Sequence, residues 1–121
     1  MTPLEFARLP ASKWESCGGF VARWLAAAGV KRTPTTAQIL RSWREAGVLE
    51  SAEKWFEFVG LERCEPAPHC IAVAEQVAGG GPLIGVLDAD GNFVTRSFGA
   101  VAVRTGPRII AAWRIPGAPR V

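Results

Sequence analysis

The sequence is poor in the side chains that most often carry chemistry: it has one histidine, His69, and three cysteines, Cys17, Cys64 and Cys70, in 121 residues. An odd and small number of cysteines does not make a disulfide framework. No apolar run approaches the ~20 residues that span a bilayer, so membrane insertion is not expected. The opening stretch, MTPLEFARLPASKWES, lacks the basic start and long apolar core of a signal peptide. Cytoplasmic synthesis without such a leader is therefore expected. There is also no cluster of basic residues. The net charge is +3, but Arg23, Arg41, Arg44, Arg63, Arg96 and Arg114 fall in different segments. Scattered charge of this kind reads as a solvated surface, so nucleic acid is not expected as a partner.

What is present is a chain 49% apolar, enough for one hydrophobic core and too much for a disordered protein. No repeat or composition break divides it, so residues 1–121 read as a single domain. The first half has the period of helices. Phe20, Val21, Trp24, Leu25 and Ala28 make one face of a helix over about 16–28, with Ser16 as N-cap and Gly29 just past its end. Ile39, Leu40 and Trp43 make a second stripe over about 36–46, with Thr35 and Gln38 at capping-box spacing and Gly47 as the stop. Ala52, Trp55, Phe56 and Val59 make a third over about 50–59, stopped at Gly60.

The second half changes to short segments rich in valine and isoleucine: 70–75, 82–87, 92–96, 100–104 and 109–115. Glycine-bearing turns at 79–81, 90–91, 99 and 106–107 separate them. Connections so short cannot cross over between parallel strands, which predicts an antiparallel meander. The expected fold class is thus α+β, with three N-terminal helices packed on one face of a C-terminal antiparallel sheet of about five strands. Of the five tryptophans, those at 24, 43 and 55 belong to the helical stripes. Trp14 and any part of Trp113 near the sheet edge are candidates for surface anchors, with a packed core as the default reading.

Cys17 is the candidate nucleophile. It falls in the first turn of a helix, where unpaired N–H groups and a partial positive charge favour a thiolate. Gly18 and Gly19 after it read as open space beside the sulfur, and the Cys17 amide suits an oxyanion donor. The plainer reading is a small buried hydrophobe. Cys64, His69 and Cys70, with Cys17 as a fourth ligand, are types that zinc accepts, but no tight C-x₂-C knuckle is present. No cofactor is expected. The run Asp88 to Asn92 has the look of a calcium loop without its later glutamate, and reads as a hairpin turn.

The stretch KWESCGGFVARWLAAAG resembles the nucleophile helix of NlpC-type cell-wall peptidases, a compact branch of the papain-like fold. It is more similar still to phage and prophage tail-region proteins of unassigned function. The resemblance continues through GLERC, IAVAE, PLIGVLD, GAVAV and AAWRI, nearly the whole chain. It implies a papain-like arrangement and a place at a phage tail tip or in its assembly, among other tail proteins and within a virion or phage-like particle. In the peptidases a histidine, just before a Gly-Ile/Val pair, begins the second strand and serves as base for the cysteine. Here that position reads Leu83, and Ser16 replaces the usual aspartate before the cysteine. His69 falls before the first of these strands, ~17–20 Å from the end where the base belongs. The resemblance therefore implies a degenerate, non-catalytic domain. The alternative is a cysteine-dependent peptidase or amidase acting on peptidoglycan peptides, with Cys17 as nucleophile.

Overall fold

The structure is a computed structural model that describes residues 1–30, 36–76, 79 and 81–115, the side chains at 36, 37 and 40 excepted. The predicted cap at Thr35, part of the 79–81 turn and the tail after 115 lie outside these residues. Helices α1 (Pro3–Ala7), α2 (Cys17–Ala27), α3 (Thr36–Ala46) and α4 (Val48–Phe58) come first. Strands β1 (Glu62–Cys64), β2 (Ile71–Ala74), β3 (Leu83–Leu87), β4 (Phe93–Ser97), β5 (Ala100–Arg104) and β6 (Ile109–Arg114) follow. The α+β order is as expected, with one more helix and one more strand.

Both additions are short. Helix α1 has five residues, too few for a periodic stripe. It is held by a capping box in which the Thr2 hydroxyl accepts from the Glu5 amide and the Glu5 carboxylate accepts from the Thr2 amide. Strand β1 carries Glu62 and Arg63, and forms as an edge strand along β6.

All strands pair antiparallel, in the order β1-β6-β2-β3-β4-β5. Strands β2 to β5 form the predicted meander, but β6 does not continue it. It returns to the far side of β2 and lies between β1 and β2. Burial explains the placement: Ala111, Ala112 and Trp113 are all buried, which an edge position would not allow. Trp113 is accordingly core and no surface anchor, whereas Trp14 is 70% exposed.

The sheet separates two apolar clusters. The larger joins Phe6, Cys17, Phe20, Val21, Leu25, Ala52 and Phe56 from the helices to Ile71, Val73, Ile84, Val86, Val94 and Trp113 from the sheet. The opposite face holds Cys70, Ala72, Ala74, Leu87, Phe93 and Ala112. Helix α2 lies over β3 and β4, and α1 over β4.

Arg96 fastens the N-terminal segment to this frame. Its guanidinium donates to the carbonyls of Ala7 (3.0 Å), Leu9 (2.8 Å) and Ala11 (3.3 Å), so it satisfies acceptors left open where α1 ends. Hydrogen bonds to a charged group contribute about 1.5–3 kcal/mol. Arg96→Ala is therefore expected to cost about 2 kcal/mol in chemical denaturation, with faster amide exchange confined first to residues 3–11.

Candidate functional site

Cys17 opens α2, as predicted. Ser16 is the N-cap: its hydroxyl accepts from the Gly19 amide at 3.2 Å, and its carbonyl accepts from Phe20 at 2.9 Å. The preceding residue is fixed on two sides. The Glu15 carboxylate takes two bonds from Arg23, each 3.0 Å, and its carbonyl accepts from the Phe98 amide at 2.7 Å. Arg23 also lies over the Phe6 ring, 4.5 Å from its centroid.

This frame packs the sulfur inward. Cys17 is 3% exposed and belongs to the helix-side cluster. Burial pushes its thiol above the ordinary value, and the backbone amides of Ile84, Gly18 and Cys17 itself oppose that shift without cancelling it. Gly18 does not open space at the start of α2, contrary to expectation. A methyl group on Gly18 would stand 2.6 Å from Ile39 Cγ2 and 2.8 Å from the Trp43 ring. The glycine instead lets α3 approach α2 closely.

The Ile84 amide places β3 at the sulfur, next to Leu83. Leu83 is half-buried, pairs with Ala74 and packs against both apolar clusters, so no proton acceptor stands at that position. The Ile84 carbonyl is taken by the buried Thr95 hydroxyl at 2.7 Å. His69 sits at the other end of β3, where its amide donates to the Leu87 carbonyl at 2.8 Å. Four steps of strand rise take the chain from Leu83 to Leu87, ~13 Å. A nucleophile and its base must approach to ~3 Å, or be bridged by one water.

The candidate ligand set also divides. Cys64 and Cys70 meet, with their sulfurs 3.3 Å apart as free thiols, but they pack on the face opposite Cys17. Among the described residues no three His, Cys, Asp or Glu side chains converge on a possible metal position. The Asp88 segment is a turn whose carboxylate accepts from the amides of Asp90 (2.9 Å) and Asn92 (2.8 Å).

Burial, then the hydrogen bond and charge of Cys70, push the Cys64 thiol up to about 12 from an ordinary value of 9.0. The folded state thus holds this proton more tightly than the unfolded chain does. Stability from this source is complete below about pH 9 and falls as pH rises from there towards about 12. The Cys17 shift acts in the same sense. The chain has no tyrosine to confuse the reading. Urea midpoints are expected to decline between neutral pH and the alkaline limit, and to decline less in Cys64→Ala.

No protein-family model, curated protein or solved structure was found to match the chain.

Proposed function

We propose that the chain is a non-catalytic NlpC-like domain, a structural or assembly component of a phage or phage-like tail tip that works through protein–protein contacts. The setting of Cys17 carries this reading. A thiol at a helix mouth, facing a sheet, is where a papain-like enzyme keeps its nucleophile, yet this one is buried, raised in pKa and faced by backbone and apolar groups. Leu83 occupies the position from which the resemblance would bring a base, and the single histidine serves the other end of β3. The order of helices before an antiparallel sheet suits a papain-like arrangement. The tail-tip role rests on the resemblance of KWESCGGFVARWLAAAG and the later motifs to tail-region proteins.

One observation favours a second reading, a cysteine peptidase or amidase acting on peptidoglycan peptides. The amides of Ile84, Gly18 and Cys17 all favour a thiolate at Cys17, as a nucleophile site would. Alkylation by iodoacetamide near pH 6, followed by peptide mass spectrometry, separates the two. The folded protein is expected to leave Cys17 unmodified under conditions that label it fully in denaturant. Fast labelling of native Cys17, abolished in Cys17→Ser, would overturn the non-catalytic reading and meet the first requirement of the enzyme reading.

A further inference from the structure

The two edges of the sheet are built differently. The β1 edge is three residues long, carries Glu62 and Arg63, and runs into Pro66 and Pro68. Its charges are engaged: Glu62 pairs with Arg114 at 2.8 Å and Arg63 with Glu53 at 3.6 Å. Short length, charge and proline are the devices that keep a strand edge from pairing with another chain. The β5 edge, Ala-Val-Ala-Val-Arg, has none of them until its last residue.

The hairpin that leads into β5 fixes which of its groups are free. Ser97 pairs with Ala100 across a two-residue turn, Phe98-Gly99, in which both residues have positive φ (50° and 83°). A turn of this kind is flanked by a hydrogen-bonded pair, and bonded and non-bonded pairs then alternate. Ala100, Ala102 and Arg104 therefore direct their N–H and C=O groups towards β4. Val101 and Val103 direct theirs outward, where no described strand meets them.

The side chains of these two valines share one face, the helix side, since they pair with Arg96 and with the core residue Val94. Helices α1 and α2 cover β3 and β4 but leave Val101 38% and Val103 45% exposed. Phe98, at the start of the same edge, is 59% exposed. An aromatic side chain held at positive φ in a turn that favours Asn-Gly is a costly residue for a surface that binds nothing.

We propose that β5 is a self-association edge, where two copies of the chain pair antiparallel about a two-fold axis and join their sheets. The sequence of β5 suits itself in the register that overlaps both strands fully. Ala102 then lies on the axis opposite its own copy. Val101 of each chain faces Val103 of the other as a hydrogen-bonded pair, so the outward groups of both valines are satisfied in four N–H···O=C bonds. The four valines form one apolar strip on the helix side, with a Phe98 at each end. Arg104 falls opposite Ala100, so the strand's only charge meets no like charge. An isologous pairing of this kind closes, and leaves no β5 edge for further chains.

This contact goes beyond the assembly reading and is independent of Cys17, whose labelling can succeed or fail without altering it. Sedimentation equilibrium across a range of protein concentrations tests it, with amide exchange followed residue by residue. The wild-type chain is expected to reach twice the 13.0 kDa monomer mass, with the Val101 and Val103 amides protected only in the dimer. Val103→Pro removes an outward N–H that β4 does not use. Val101→Glu places a carboxylate across from Arg96 of its own chain but inside the valine strip of the dimer. Each is expected to abolish the dimer, and if the proline variant fails to fold, the glutamate variant decides. A wild-type chain that stays monomeric at every concentration overturns the proposal. So does a dimer that survives in a folded variant, or one in which both valine amides exchange freely.

Discussion

Gly85→Ala is expected to lower stability by about 3 kcal/mol, the upper part of the range for overpacked sites, which for a chain of this size is a fall of roughly 10–15 °C in Tm. Gly85 sits in the interior of β3, opposite Ala72. A methyl group there would stand 2.5 Å from the Val94 carbonyl oxygen and 2.7 Å from the Phe93 ring. The ring could turn away, but the carbonyl belongs to the adjoining strand and can move only if β4 moves. That displacement would strain the Thr95–Ile84 bond, which ties β4 to the residue whose amide meets Cys17. Scanning calorimetry of Gly85→Ala, made once in the wild-type chain and once in a Phe93→Leu background with Phe93→Leu alone as its reference, separates the two contacts. Partial recovery in the double variant is expected, because it removes the ring and leaves the carbonyl. Full recovery would show that the backbone contact is unimportant, and a Tm within a degree or two of the wild type would refute the close approach altogether.

That glycine illustrates what could and could not be read in the residues. Segment 82–87 is legible as a strand from its composition, and the sequence neighbours of Gly85 say nothing of the Phe93 ring across it. Periodicity gave α3 its bounds, 36–46, and located α2, because an amphipathic stripe is a local property. It missed α1 and β1, which are too short to repeat. The short connections, read as a continuous meander, misplaced β6, since an apolar strand shows that it is buried without showing which neighbours bury it. At the site, the distance between His69 and the Leu83 end of β3 follows from strand rise alone. The closed space around Cys17 does not. Gly18 reads as a gap until Ile39 and Trp43 of α3 are brought against it, a contact between residues more than twenty positions apart. Trp14 and Trp113 show the same limit: only the assembled sheet distinguishes the exposed ring from the buried one.

Those long-range contacts make the burial of Cys17 depend on a residue far from it, Phe56. This side chain is fully buried on α4, with its ring 4.8 Å from Trp55 and 4.8 Å from Trp113 of β6. It therefore anchors α4 to the sheet. Helix α4 in turn holds α3, through packing and the Ser42–Ser51 hydrogen bond of 2.8 Å, and α3 closes over Gly18 beside Cys17. Phe56→Ala removes the ring and leaves a cavity between α4 and β6, a change that costs about 3–5 kcal/mol. Phe58→Ala, two residues on but 72% exposed, is expected to change stability by no more than about 0.5 kcal/mol. The effect should also reach the thiol. Opening of α3 and α4 from the rest of the chain costs less once the Phe56–Trp113 contact is gone, so Cys17 is expected to become alkylable in native buffer in Phe56→Ala and to stay protected in Phe58→Ala. Urea denaturation followed by tryptophan fluorescence gives the first quantity, and timed alkylation read by mass spectrometry gives the second. A destabilised Phe56→Ala in which Cys17 remains as slow as in the wild type would mean that α3 stays seated on α2 without α4, and that the thiol is buried by α2 and β3 alone.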